Sequence, residues 1–198
     1  MIKLTSFRYF YPERPKLIHP DQLGQYEGKG YVAEPKFNGS RLCLHFTEGA
    51  FSFWNRHYQK MVYVPSREVT HALNSLNLKG YWLFDGELRH NKVIGVKHKI
   101  VLWDVFVADG VLLLEAPYEQ RRTLLWSQGL PEENGGPLGI PKHFTEGFRG
   151  VFEGFLQADE IEGLVLKRLD GRLNLGRNRA VESNWMRKVR KPSGRYHF

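Results

Sequence analysis

The chain reads as an α+β fold in which strands outnumber short helices, and three observations predict it. From Arg41 to Thr47 the residues alternate, with Leu42, Leu44 and Phe46 on one face and Arg41, Cys43 and His45 on the other. Further strand-like runs are separated by turn residues such as Glu48-Gly49, Ala108-Asp109-Gly110 and Asp170-Gly171. Two stretches instead follow a helical period: Val69, Leu73 and Leu76 form one stripe, and Phe148, Val151, Phe152, Phe155 and Leu156 form another.

Taken in order, residues 1–30 carry Pro12, Pro15 and Pro20 and then Gly24, Gly28 and Gly30, and read as a lead-in with one short helical turn. Residues 31–198 are expected to form the body of the same domain. Strands are expected over 31–37, 41–47 and 50–54, followed by a turn at Asn55-Arg56-His57. Ser66 is suited to cap a helix running to Leu78. Strands follow at 81–89, 99–107 and 111–114. Pro117 opens a helix to Gln128, which Gly129 closes. Residues 130–142, rich in Pro and Gly, read as a long loop. A helix over 148–158, a strand over 162–168, the basic run Gly176-Arg177-Asn178-Arg179 and a last strand over 185–191 complete the chain.

A length of 198 residues suits one domain or one large lobe, and 41% hydrophobic with 14% aromatic residues marks a chain that folds. The net charge of +8 favours a polyanionic partner such as a nucleic acid or a nucleotide. Cys43, the only cysteine, rules out an intramolecular disulfide framework and a multi-cysteine zinc site. With no apolar leader at the start and no long apolar run, the chain reads as soluble, cytoplasmic and without a membrane partner.

Lys36 draws attention because it stands at a strand end, with Glu34 two residues before it, Gly39 three after it and Arg41 two further on. A lysine amine attacks only when neutral, a form favoured by desolvation or neighbouring positive charge. These nine residues also suit a surface lysine beside a turn glycine. Three later elements extend the pattern: Phe84-Asp85-Gly86-Glu87, Glu162-Gly163-Leu164-Val165-Leu166-Lys167, and Lys188 in a Trp-containing basic strand. Together they supply a nucleophile, acids for a divalent metal and sugar hydroxyls, basic groups for phosphoryl oxygens and aromatic plates for a base.

The ordered set resembles the nucleotidyltransferase (adenylation) domain of ATP-dependent DNA ligases, in the superfamily that also contains RNA ligases and mRNA-capping enzymes; the likeness runs from residue 31 to residue 191. The resemblance implies an ATP-grasp-like domain of antiparallel sheets flanked by short helices, with a nucleotide cleft between the sheets. It implies that Lys36 becomes adenylated, that Glu34 reads the adenine amino group, and that Arg41 belongs to the same nucleotide-binding element. Asn55-Arg56 resembles the element whose arginine contacts phosphate. Glu87 matches the acid that holds the ribose, and Trp103-Asp104 the element whose aromatic stacks on adenine; as an aromatic in an apolar strand, Trp103 also suits the core. Tyr118-Glu119-Gln120-Arg121-Arg122 resembles the helix that follows, where the two arginines suit a solvated face or a structural pair. Lys167 matches the basic, nucleotide-binding residue of the Glu-Gly-x-x-x-Lys strand, Lys188 the lysine that contacts the α-phosphate, and Glu87 and Glu162 the acids linked to Mg2+ or Mn2+. ATP is the implied cofactor. A nicked DNA duplex, or RNA, is the implied partner, in the service of DNA repair or replication.

Two features depart from the pattern. Asn38 replaces the usual Asp, and Arg190 stands where a second lysine is common. The chain also ends just after the last strand, so no OB-fold domain is expected within it and such a domain or another partner would act in trans. Three functions follow: a DNA ligase, favoured over RNA by Arg41 and the Arg121-Arg122 helix; an RNA ligase or capping guanylyltransferase; or a non-catalytic nucleic-acid-binding module with a degenerate site. The histidines His45, His57, His71, His90 and His98 show no metal-ligand spacing.

Overall fold

Alternation in the sequence becomes two differently covered faces of a sheet. The computed structural model describes residues 3–4, 7–176 and 178–192, so Arg177 of the basic run lies outside the described residues. The strands are β1 (Arg14–Leu17), β2 (Tyr31–Phe37), β3 (Ser40–Thr47), β4 (Ala50–Trp54), β5 (Trp82–Arg89), β6 (Lys99–Ala108), β7 (Val111–Leu112), β8 (Leu138–Gly139), β9 (Ile161–Arg168) and β10 (Glu182–Arg190). The large sheet runs β4-β3-β5-β6-β7, with β8 added to β6; the small sheet runs β1-β10-β9-β2. Pairing is antiparallel except at two short strands, β1 on β10 and β8 on β6. The lead-in therefore contributes an edge strand, which its prolines obscured in the sequence, together with a 3-10 helix at Pro20–Tyr26.

Three apolar clusters define the layers. Leu42, Leu44, Phe84 and Leu102 face away from the small sheet and pack under α1 (Arg67–Asn74) and Leu125 of α2 (Tyr118–Ser127). Leu164, Leu166 and Val189 cover the far side of the small sheet, against the 3-10 helix and α3 (Phe148–Gly154). Between the sheets lies a third cluster containing Val32, Cys43, Leu83, Tyr118 and Trp185. Burying three such sets at about 25 cal/mol per Å² is the main term holding the sheets together.

The helices start where capping predicts and stop early. Ser66 Oγ accepts from the Val69 amide at 3.3 Å, but α1 ends at Asn74, while Leu76 and Leu78 enter the core without helical backbone. α3 stops at Gly154 and not at residue 158; it contains two glycines, each costing about 1 kcal/mol in a helix interior.

The Asn38-Gly39 turn passes the chain from the small sheet to the large one. Lys36 at the end of β2 and Arg41 near the start of β3 therefore stand on facing sheets. Gly39 is required there, since an added Cβ would lie 2.5 Å from Cγ of Glu87 and 2.7 Å from the Leu88 carbonyl.

Candidate active site

In the small sheet the register sets rows of side chains facing the large sheet. Lys36 pairs with Gly163, which pairs with Arg190; Glu34 pairs with Val165, which pairs with Lys188; Val32 pairs with Lys167, which pairs with Met186. Directly opposed residues share a face, so Lys36, Glu34, Lys167, Lys188 and Arg190 all point into the space between the sheets. Across that space the large sheet presents Arg41, Asp85 and Glu87, with Arg41 opposite Glu87.

Two bulges complete the site. Lys36 pairs with Gly163 and Phe37 with Ile161, leaving Glu162 without a Cα partner on β2. A bulge re-aims its extra residue, and here the Glu162 carboxylate meets Nζ of Lys36 in an ion pair that is about one-quarter exposed, with Arg190 Nη2 3.8 Å from the same oxygen. Gly163 makes the bulge possible: its φ is +148°, and a Cβ there would lie 2.1 Å from the Val189 carbonyl. In the large sheet, Asp85 pairs with Asp104 and Gly86 with Leu102, so Trp103 is likewise the extra residue. Its indole Nε1 donates to Asp85 Oδ2 at 2.8 Å, which makes it a fixed plate and not a core filler. The Arg41 guanidinium and the Lys167 amine lie 5.3 and 5.8 Å from its ring centre.

Charge in this space is matched closely. Glu34 is buried; Lys167 Nζ stands 2.7 Å from its Oε2, while Tyr118 Oη and His143 Nε2, the latter at 2.8 Å, donate to Oε1. Burial pushes this carboxyl up, but Lys167, His143 and Arg122 outweigh it and hold Glu34 well below the usual carboxylate range. The same burial pulls Lys167 down from the ordinary lysine value, with Glu34 and Asp104 restoring part of it. Burial pushes Glu87 up to about 7; Lys36 and Arg41 pull it back, and Glu162 and Asp85 push it further. Lys188 is drawn down, first by burial and then by the like charges of Arg190 and Lys36.

The predicted residues divide accordingly. Lys36, Glu34, Glu87, Trp103, Glu162, Lys167 and Lys188 converge on one space. Arg41 is there too, but its guanidinium is committed to Asp85, Nε to Oδ1 at 2.7 Å and Nη2 to Oδ2 at 2.5 Å, with Nη1 reaching the Glu13 carbonyl at 3.3 Å. Arg56 lies on the exposed turn after β4, where its Nε donates to His57 of the same turn at 3.1 Å. Arg121 and Arg122 are not a solvated face. Arg121 is fully buried, doubly bonded to Asp104 at 2.7 and 2.9 Å and bonded to two carbonyls, and Arg122 is bonded to the Pro141 carbonyl. Of the possible readings, Arg121 is therefore the structural pair.

His143 and Asp85 carry site geometry that the sequence pattern did not single out. His143 is recruited because Phe144 forms two backbone hydrogen bonds with Ala33 on the free side of β2, at 2.8 and 2.9 Å. No local pattern announces that pairing.

Among the described residues, no three His, Cys, Asp or Glu side chains gather as a metal-holding group. Glu87 and Glu162 nevertheless offer carboxylate oxygens on facing sheets, and Glu162 raises the cost of charging Glu87, which suits a hard divalent cation sharing them with phosphate oxygens. Two surface hollows, of ≈ 440 and ≈ 510 Å³, lie by Tyr9 and Tyr58 and by Leu78 and Tyr81, away from Lys36. Beside Lys36 the charged pairs lie within each sheet, Lys36 with Glu162 and Lys167 with Glu34 on the small one and Arg41 with Asp85 on the large one. Among the described residues no helix is long and apolar enough to cross a membrane.

The two-sheet fold is that of ligase nucleotidyltransferase domains. The solved structures that share it include mycobacterial DNA ligase D complexed with ATP and MES, with a TM-score of 0.63 and 20% identity over 93% of this chain and 62% of that one. The ligase domain of M. tuberculosis LigD gives the same TM-score and identity, over 93% and 60% of the two chains. An RNA ligase of Naegleria gruberi aligns at TM-score 0.52 and 15% identity over 96% and 58%. In sequence, DNA ligase 1 of Schizosaccharomyces pombe is 26% identical over 193 residues, covering 81% of this chain and 25% of that protein. This chain thus spans about a quarter of that curated relative. No family model matches it.

Proposed function

We propose that this chain is an ATP-dependent polynucleotide ligase domain that seals 5′-phosphate/3′-hydroxyl nicks, in DNA by preference, through a lysyl-AMP intermediate on Lys36. The observation that carries this reading is the contact between Nζ of Lys36 and the bulged Glu162, beside Glu87 and under the positive charges of Lys188 and Arg190.

The Lys36 amine must lose a proton before it attacks. Glu162 is in contact with it and takes that proton. The nitrogen lone pair then forms a bond to the α-phosphorus of ATP as the bond to pyrophosphate breaks. Arg190, in the same row as Lys36, and Lys188, in the next row, face the developing phosphoryl charge. A divalent cation held by Glu87 and Glu162 would supply further neutralisation of that charge. AMP next passes to a 5′-phosphate, and a 3′-hydroxyl displaces it as the strands join. Trp103 offers the stacking plate for the base. The basic chain holds the nucleic-acid backbone without reading sequence. The relatives named as DNA ligases favour DNA; the RNA ligase of the same fold keeps nicked RNA as the second substrate to assay.

Intact mass after incubation with ATP and Mg2+ tests the reading. The expected result is one added AMP on the parent and none on Lys36→Ala, with the variant still folded. An adduct of normal yield on Lys36→Ala, or none on the parent with ATP or GTP and either Mg2+ or Mn2+, overturns it.

A further inference from the structure

We propose that the aromatic hollow beside β4, walled by Phe7, Tyr9, Tyr11 and Tyr58, is a second contact with nucleic acid and stacks one unpaired base of a strand on Tyr58. The inference goes beyond the nucleotidyl-transfer reading: it concerns a surface away from Lys36 and does not require that lysine to be loaded.

The hollow measures ≈ 440 Å³, inside the range of about 300–1,000 Å³ typical of small-ligand pockets, and Arg8 and Asn178 complete its lining. Its rings form one continuous group. Tyr58 lies 4.7 Å from Tyr9, 5.5 Å from Trp54 and 6.4 Å from Phe7, centre to centre, and Tyr9 lies 5.0 Å from Tyr11. Phe7 and Tyr9 cover the face of β3 that also carries Arg41: the Phe7 ring is 4.4 Å from that of His45, and Tyr9 Oη is 4.0 Å from Cys43 Sγ. Alternate residues of a strand share a face, so the hollow adjoins the sheet surface that faces the lysine site.

Tyr58 is not placed as a core residue. Half of it is exposed, and its φ is +61°, a left-handed backbone that a bulky residue rarely adopts and that costs free energy. The turn enforces that backbone: Asn55 Oδ1 accepts from the His57 and Gln59 amides at 2.8 and 3.1 Å, and the Asn55 carbonyl accepts from Tyr9 Oη at 2.7 Å. The ring is therefore preset, packed on other rings and still open to water, and a flat guest would bury its exposed part at little ordering cost. Charge selects the guest. No carboxylate lines the hollow, Arg8 does, and Arg56 and Arg179 are close in sequence to Tyr58 and Asn178; among the described residues none of these three arginines is in an ion pair. Cations beside aromatic faces suit a base that brings its own phosphates, whereas a proline-rich segment, another guest of aromatic grooves, has no use for them. Bases inside a duplex have both faces covered, so the guest is an unpaired one. Stacking tolerates every base, so no sequence is read.

Fluorescence anisotropy tests this without ATP, using a labelled single-stranded thymidine oligonucleotide and an abasic strand of the same length and charge. The full chain is expected to bind the base-bearing strand at least about fivefold more tightly, the lower end of what one stacked base contributes. Tyr58→Ala is expected to remove most of that difference while leaving the abasic strand's affinity unchanged, and Tyr58→Phe to retain it. Arg8→Ala should weaken both strands alike and lower the salt slope. Equal affinity of the parent for the two strands, or a difference that survives in folded Tyr58→Ala, overturns the proposal. Photocrosslinking of the parent to a strand carrying 5-iodouracil needs no variant: a crosslink mapped by mass spectrometry to Phe7, Tyr9, Tyr11 or Tyr58 supports the site, and crosslinks found only elsewhere refute it. Free thymidine monophosphate that binds as tightly as the strand would make the guest a mononucleotide, and Tyr58-dependent binding of a proline-rich peptide in place of the strand would make it a protein; either result also refutes it. Base-dependent binding by a parent that forms no adduct would sink the ligase reading alone, and adduct formation without base dependence would sink this one alone.

Discussion

Lys167 and Glu34 are diagonal neighbours on β9 and β2, and their Nζ and Oε2 stand 2.7 Å apart with about 3% of either side chain exposed. A buried ion pair of this kind is a weak source of net stability, but breaking it from one side leaves an uncompensated charge in the interior. Glu34→Gln and Lys167→Met are each expected to lower unfolding stability by about 3–5 kcal/mol, and the double variant by clearly less than their sum. Urea unfolding of the three variants measures this.

The same pair has a pH consequence. Glu34 titrates below its unfolded value, so its stabilising contribution is complete above an unfolded carboxyl pKa of about 4.3 and is lost as pH falls further. His45 acts in the same direction for a different reason. Burial on the inter-sheet face of β3 pulls it down to about 3, so the native state keeps it neutral while the unfolded chain takes up a proton below about 6.5. Stability contributed in this way is lost as pH falls from about 6.5 towards 3. His45→Phe should flatten the acid limb of a stability–pH curve by up to about 1.4 kcal/mol per pH unit over that window. An unchanged slope would show that His45 does not stay neutral.

Gly163→Ala is expected to be more damaging than a methyl group in a strand suggests. The backbone there is left-handed, and the new Cβ would press on the Val189 carbonyl. A loss of at least about 2 kcal/mol is expected, and since the bulge aims Glu162 at Lys36, adenylation should fall even in the fraction that folds. Thermal unfolding together with adduct yield per folded molecule separates the two effects.

Glu162→Ala and Glu162→Gln should differ in kind. Alanine removes both the proton acceptor at Lys36 and the oxygens expected to share a cation with Glu87, so metal-dependent adduct formation should drop by about 10²-fold or more. Glutamine keeps the shape and one oxygen, so nucleotide binding should change by less than about tenfold. Equilibrium binding of a non-hydrolysable ATP analogue, measured beside single-turnover adduct formation, checks the split.

Arg121→Lys tests the other buried pair. The guanidinium makes two bonds to Asp104 and one each to the Ala116 and Gly171 carbonyls, tying α2 to both sheets. An ammonium can meet only part of that set, so a loss of about 2–4 kcal/mol is expected in denaturant unfolding.

Much of the architecture was legible because period-two alternation and turn residues are local properties. β2 and β4 were read to the residue, and β5, β9 and β10 within a few positions. The helices were placed at their starts, where Ser66 and Pro117 signal, and overextended at their ends, where glycine cost and packing decided. Arg121 and Arg122 were illegible for the opposite reason: their burial depends on Asp104 and Pro141, which reach α2 only in the folded chain.

The sequence by itself determined the order of the chemical groups, Lys36, Glu87, Glu162, Lys167 and Lys188, and that each would ride on a strand. Only the tertiary structure decided which of them meet. Lys36 and Arg41 belong to different sheets, and Glu162 and Trp103 are aimed by bulges. A bulge is a mismatch between two strands, so no single strand's alternation can announce it. His143 enters by the same route, through the backbone pairing of Phe144 with Ala33, which sets its ring against Glu34, 109 positions away.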